Sequence, residues 1–215
     1  LSETAFLVET GDGFDLRWFT PITAVALCGH ANLAIAFVLF TCRGWPVDTV
    51  RFQTRKSGGL TFTRHDDFLE MDFPARPAHA LSAPPGLEEA LEIKRAQVLA
   101  SEEDLLVVLT DEDSVRTVRP DFRALGKIER RGVIITAKGE GSDFVSRFFA
   151  PRFGIDEDPV TGSAHCVLTP YWANVLGKND LHALQVSSRG GSCFAHSPAN
   201  GSRYRGGPRC TWKVR

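Results

Sequence analysis

Two stretches of this sequence place a glycine turn directly ahead of an apolar helical run, and both could hold an anion. Cys28-Gly29-His30-Ala31 leads into the run Ala31–Phe40, and Thr161-Gly162-Ser163-Ala164 leads into a run that ends near Leu176. At a helix start, free backbone N–H groups meet the positive end of the helix dipole, which suits a carboxylate. His30 and Ser163 hold equivalent first positions and would add side-chain donors to the amides around Gly29 and Gly162. Asp156, Glu157 and Asp158 approach the second turn, and one of them could orient a histidine or a substrate amine. As capping charges alone they would contribute about 0.3–1 kcal/mol each, and Ser163 would be an ordinary N-cap. Glu3, in Ser2-Glu3-Thr4-Ala5-Phe6-Leu7-Val8, stands at the entry to an apolar strand. A carboxylate held against apolar surface has a raised pKa and becomes a usable proton carrier.

Two other constellations compete for the same residues. Cys28, His30, His165 and Cys166 could meet as a zinc site, although no CxxC or HExxH spacing supports it and buried cysteines usually just pack. Cys28 could instead be a thiol base at a helix start, where thiol pKa falls, but the facing position is Thr161, which offers no second base. The expected site therefore holds no metal.

The elements that would position these groups come in two similar sets. Arg17-Trp18-Phe19-Thr20-Pro21 recurs as Arg147-Phe148-Phe149-Ala150-Pro151, with Phe14 matching Phe144 at the same offset of 130 residues. The two glycine turns repeat at an offset of 133. Each copy reads as an aromatic strand, a proline, a loop, a glycine turn and then an apolar helix, over about Ala31–Thr41 and Ser163–Leu176, with Gly44 and Gly177 at the ends. The first helix has almost no polar face and should be enclosed on all sides. Short strands to enclose it are expected at Thr49–Gln53, Leu60–Arg64, Phe68–Phe73, Leu105–Leu109, Gly132–Thr136 and Leu184–Ser188. A helix is expected over Leu87–Ala100, just after the Ala-Pro-Pro-Gly stretch that is the best boundary. The expectation is an α+β protein of two domains, 1–82 and 83–215, each a curled sheet around one helix, with the two turns facing one cleft.

Composition narrows the partners. The formal net charge of −1 gives no reason to expect nucleic acid or an anionic membrane, and the basic tail (Arg203, Arg205, Arg209, Lys213, Arg215) lacks an aromatic ladder. The longest apolar run is about half a bilayer span. Five cysteines, odd in number and irregularly spaced, argue against a disulfide framework, and with no signal peptide in view they point to the cytoplasm. The chain opens on Leu rather than Met, which points to a segment upstream that is removed or not included. A homodimer is compatible with the sequence.

Six motifs in register then resemble the phenazine-biosynthesis PhzF-like family. They are Leu1-Ser2-Glu3-Thr4-Ala5-Phe6, Leu16-Arg17-Trp18-Phe19-Thr20-Pro21, Leu27-Cys28-Gly29-His30-Ala31, Ser146-Arg147-Phe148-Phe149-Ala150-Pro151, Glu157-Asp158-Pro159-Val160-Thr161-Gly162-Ser163-Ala164-His165, and Gln185-Val186-Ser187-Ser188-Arg189-Gly190-Gly191. The resemblance implies two pseudo-symmetric mixed barrels, each enclosing a central helix, as in diaminopimelate epimerase. It implies a cofactor-independent isomerase or epimerase that acts on a small cyclic or amino carboxylic acid. Glu3 would shuttle the proton, His30 and Asp158 would hold polar groups of the substrate, and Gly162 and Ser163 would take its carboxylate. Ala24 stands where the family usually has glutamate. The family's first strand and Gly-Asn-Pro loop have no counterpart before Leu1, and Pro208–Arg215 lacks the apolar strand that the family leads one to expect there, with Trp212 and Val214 alternating with Lys213 and Arg215. With those departures, the alternative is a catalytically compromised relative that acts as a binding or interaction protein.

Overall fold

The computed structural model describes residues 4–19, 24–25, 29–55, 58–65, 68–72, 75–197 and 209–213. The first described elements are a hairpin of β1 (Thr4–Thr10), which is mostly exposed, and β2 (Gly13–Phe19), which buries alternate residues, registered from Thr4 opposite Phe19 to Thr10 opposite Gly13. β3 (Ala24–Val25) pairs back onto β2. Helix α1 (Gly29–Phe37) then continues as a π-helical turn, Val38–Cys42, that closes near Gly44 in the left-handed region. The chain returns as β4 (Thr49–Thr54), parallel to β2, followed by antiparallel β5 (Gly59–His65) and β6 (Phe68–Asp72).

The second half repeats this wiring with additions. β7 (His79–Ala80), α2 (Leu87–Leu91), β8 (Gln97–Ala100), β9 (Asp104–Val108), α3 (Glu112–Thr117) and α4 (Phe122–Leu125) come first. β10 (Gly132–Lys138) and β11 (Phe144–Ala150) form the antiparallel pair equivalent to β1 and β2. After β12 (Ile155–Asp158), helix α5 (His165–Leu176) carries the chain to β13 (Asp180–Gln185), parallel to β11, and then to antiparallel β14 (Gly191–His196). The repeated phenylalanines open the two parallel pairings, Phe14 opposite Phe52 and Phe144 opposite Ala183. The last described strand, β15 (Arg209–Lys213), lies between β14 and β6 and joins the halves into one strand order, β1-β2-β4-β5-β6-β15-β14-β13-β11-β10-β9-β8-β7.

Burial explains why the strands read differently in the sequence. β4 and β5 bury alternate residues (Val50, Phe52; Leu60, Phe62) around α1. β9 and β10 are covered on both faces: Leu106 and Ile134 join the cluster shared with α5, while Leu105, Val107, Val133 and Ile135 pack under α2, α3 and α4. That is why they appear as unbroken apolar runs rather than alternations. Around α5, Phe144 stacks on Trp172 at 5.7 Å between centroids, a geometry that contributes about 0.5–1.5 kcal/mol beyond its buried area. Trp172 Nε1 donates to Thr136 Oγ1 at 3.0 Å, so its polar edge is satisfied inside the core. Pro170 lies within α5 and has no N–H for the Cys166 carbonyl four residues back; that carbonyl accepts the Arg76 N–H at 2.8 Å instead.

Four sequence expectations change. The helix expected over Leu87–Ala100 ends at Leu91, because Glu92 and Arg95 both take positive φ (55°) and Val98 and Leu99 join the sheet as β8. β13 lies four residues earlier at its start than the expected Leu184–Ser188, since Leu181, Ala183 and Gln185 form the inward-facing alternation and Ser187 belongs to the following turn. Arg209–Lys213 forms a strand despite its polar sequence, because it completes backbone ladders on both sides, with β14 and β6. Finally, the first helix is not enclosed all round: Phe37 and Val38 are exposed, and among the described residues no strand continues past β1 to cover them.

Candidate active site

The best-defined polar construction surrounds the loop from Asp158 to Ala164. Asp158 ends β12 opposite Phe148 of β11, and its buried Oδ2 accepts from Thr161 Oγ1 at 2.7 Å. Gln185, buried at the end of β13, clamps the same loop with both ends of its amide. Its Oε1 accepts the Thr161 N–H at 2.7 Å, and its Nε2 donates to the Asp158 carbonyl at 2.7 Å and to Thr161 Oγ1 at 3.1 Å. Ser187 Oγ donates to the Pro159 carbonyl at 2.7 Å and accepts from Gly190 N at 3.0 Å. Gly191 lets Val160 lie against the strand, since a Cβ there would come within 2.8 Å of Val160 Cγ2. The segment Gln185–Gly191 is thus the cradle of the Asp158–Thr161 loop.

The loop turns through a buried 3-10 segment, Gly162–Ala164, into α5. His165 Nδ1 lies 3.1 Å from the Thr161 carbonyl, and its ring packs 6.1 Å from that of Phe144. Ser163 Oγ accepts from Arg131 Nη1 at 3.2 Å. Arg131 is itself held by Asp104 in a two-point ion pair, with Nε to Oδ1 at 2.9 Å and Nη2 on Oδ2, and it lies 3.4 Å from Glu103, which also pairs with Arg76. Burial pushes the Asp104 carboxyl above its ordinary value, with the Arg131 guanidinium pulling it back. For Arg131, burial favours the neutral form, but the Asp104 carboxylate outweighs this and raises the guanidinium pKa. Phe148 lies beneath the guanidinium, 5.5 Å from ring centroid to Cζ, and Gly132 leaves room for that ring, since a Cβ would come within 2.3 Å of Phe148 Cζ.

The residues singled out in the sequence do not all come together. Asp158, Gly162 and Ser163 lie together on this buried loop and turn, and α1 comes into contact with the turn. His30 is on the first turn of α1, where only its backbone belongs to the described part. Glu3 and Cys28 lie outside the described residues; Glu3 immediately precedes Thr4, the first residue of β1. Of the other carboxylates, Asp156 is exposed, and Glu157 is engaged by Arg147 through Nε–Oε1 at 2.7 Å and Nη2–Oε2 at 3.0 Å. Arg147 also donates to the Val115 and Val118 carbonyls, so Glu157 serves the packing of α3 on β11. Among the described residues no group of three or more His, Cys, Asp or Glu side chains gathers to hold a metal ion.

Sequence reasoning missed Gln185, Thr161 and Arg131. Gln185 and Thr161 lie in motifs that resemble the family, but a clamp made by one amide is visible only once β13 is beside the loop. Arg131 precedes an apolar strand in an Arg-Gly pair that has nothing local to mark it.

Comparison with known proteins agrees with this architecture. The family model described as phenazine biosynthesis-like protein matches residues 1–196. An uncharacterized isomerase of Pseudomonas aeruginosa is 53% identical over 194 residues, spanning 90% of this chain and 74% of its own. A PhzF-family phenazine biosynthesis protein of Enterococcus faecalis superposes with a TM-score of 0.90 at 40% identity, over 100% of this chain and 80% of that one. A hydroxyproline epimerase of Agrobacterium vitis, solved with trans-4-hydroxy-L-proline, shares the fold alone, with a TM-score of 0.63 at 11% identity over 98% of this chain and 71% of its own. On the family match, the identity to relatives and the shared α+β fold, this chain belongs to the phenazine biosynthesis-like PhzC-PhzF family.

Proposed function

We propose that the protein is a cofactor-independent isomerase or epimerase that moves a proton on a small cyclic or amino carboxylic acid, with Glu3 as general acid and base. An isomerase or epimerase function in general is supported by family membership and by relatives named isomerases. The observation that favours a carboxylate-bearing substrate is the clamped turn: Gly162 and Ser163 lead into α5 beside a buried carboxylate, Asp158, and α1, the helix that carries His30 in its first turn, comes into contact with the same segment. Preorganised N–H and O–H donors stabilise an anion without the reorganisation that water would need. Bound through its carboxylate, a substrate would have its polar groups held by Asp158 and His30. Glu3 would take a proton from one carbon and return it at another, or on the other face. No metal or cofactor is needed for that step, because a carboxyl group of suitably raised pKa serves in both directions.

The test is a screen of small cyclic and amino carboxylic acids in deuterated water, read by mass spectrometry and proton NMR. Incorporation of one deuterium at carbon, or epimer formation, with the purified protein alone is the expected result. Binding of such acids with no exchange at any carbon would instead favour a binding role.

A further inference from the structure

We infer that Arg131 is a positioning residue for the carboxylate site, orienting the Ser163 hydroxyl so that its one hydrogen is left to donate to the ligand. This rests on the reading that the Gly162–Ser163 turn takes a carboxylate. A serine hydroxyl has one hydrogen and two lone pairs, and it rotates to suit its neighbours. Arg131 can only donate, and the ion pair with Asp104 keeps its guanidinium charged, so the 3.2 Å contact from Nη1 fixes Ser163 Oγ as the acceptor. Among the described residues no acceptor receives the Ser163 hydrogen. The direction of this hydroxyl dipole is therefore set from behind the turn, by a residue 32 positions away in sequence.

The surrounding construction makes Arg131 unable to turn elsewhere. Asp104 grips two of its nitrogens, Glu103 lies 3.4 Å from Nε, and Phe148 supports the face of the guanidinium. Glu103 is held in turn by Arg76, whose backbone N–H fills the Cys166 carbonyl that Pro170 leaves open in α5. Both ends of the network thus attach to the element that begins at the turn. Two arginines against two carboxylates leave it without net charge. Its effect on a bound anion then acts through the direction of the hydroxyl rather than through long-range field, and should be lost with Ser163.

The test uses the whole chain and acetate as probe, followed by 15N amide shifts of Gly162, Ser163 and Ala164, with acetamide as the uncharged counterpart. Because Arg131→Met alone would strand a buried carboxylate, the comparison is Asp104→Asn against Asp104→Asn/Arg131→Met. Acetate affinity should fall about tenfold when Arg131 is lost, the scale of one hydrogen bond to a charged group, while acetamide affinity stays the same. Ser163→Ala should cause a similar fall, and adding the Arg131 change in that background should cause no more. Equal acetate affinity with and without Arg131, or full additivity with Ser163→Ala, overturns the role of Arg131 alone. Acetate that leaves all three amides unshifted in the unmutated protein overturns the carboxylate reading and this inference together.

Discussion

The turn before α5 and the described part of α1 are secured by different means, although the two helices begin in similar sequence. The turn before α5 is fixed by polar side chains that reach it from two strands: Gln185 from β13 and Arg131 at the head of β10. The described part of α1 is fixed chiefly by apolar packing, with one polar tie, Trp18 Nε1 to Asn32 Oδ1 at 2.7 Å. Since Trp18 can only donate, it must meet the amide oxygen, which leaves Asn32 Nδ2 buried with no partner among the described residues. Directional side-chain bonds hold atoms to a set geometry, whereas apolar contacts hold a helix in place with more latitude. The turn before α5 is thus held to a set geometry, while the described part of α1 is held mainly by packing.

The strongest way to break that contrast is Gln185→Leu. It removes three hydrogen bonds at once and leaves the Thr161 N–H and the Asp158 carbonyl buried without that partner. Stability should fall by about 3 kcal/mol or more in urea unfolding, and the amides of 158–164 should lose hydrogen-exchange protection before the rest of α5. A loss spread evenly over the chain would show that the clamp is not local. Next in size is Gly132→Ala, whose Cβ meets the buried Phe148 ring beneath Arg131; about 1–3 kcal/mol of destabilisation is expected, with acetate binding at the turn weakened as well. The matching change beside α1 is Trp18→Phe, which removes the tie to Asn32 but keeps an aromatic ring. It should cost about 1–2 kcal/mol and leave exchange at 158–164 unchanged.

Acid provides the gentlest test. Glu112 is held below its usual carboxyl range by the Glu140 N–H, against the cost of burial and with help from Arg116. For Asp143 burial pushes upward, but Lys178 and the His182 N–H prevail and its pKa is also lowered. A carboxyl with a lowered folded pKa contributes stability above its unfolded pKa and loses it as pH falls through the folded value. Both residues lie in the second half, so as pH drops below the ordinary carboxyl range that half should loosen first. Asp104, raised by burial, has the opposite sign and becomes less costly as it protonates. Glu112→Gln and Asp143→Asn should each flatten the acid limb of stability by less than about 1 kcal/mol; an unchanged acid limb would remove them as its cause.

Much of this was legible before any coordinates, because patterns that are local in sequence are local in physics. The repeat of aromatic strand, glycine turn and apolar helix appears as two equivalent wirings, β2–α1–β4 and β11–α5–β13. The glycine stop of α5 is where it was expected, with Gly177 at φ 65°. What failed was decided by partners distant in sequence. The stretch 92–100 has helix-compatible composition, but two left-handed residues and an open edge of β9 turn its end into β8. Arg209–Lys213 has no strand signature of its own and gains its ladders only because β6 and β14 stand on either side. In the site, the charged and glycine positions of the loop could be read directly. The residues that hold them, Gln185 and Arg131, are polar groups inside the core, and burial of a polar side chain cannot be read without knowing what it meets.

The central claim is that Glu3 carries the proton. It is tested most directly by Glu3→Gln, which keeps the size and most of the hydrogen bonding of the side chain but removes the titratable group. With an acid identified in the exchange screen, single-turnover deuterium incorporation should slow by at least ~10²-fold, while the dissociation constant of that acid and the unfolding midpoint stay close to those of the unmutated protein. Incorporation at the unmutated rate by Glu3→Gln would contradict the account and send the search for the proton carrier to another residue.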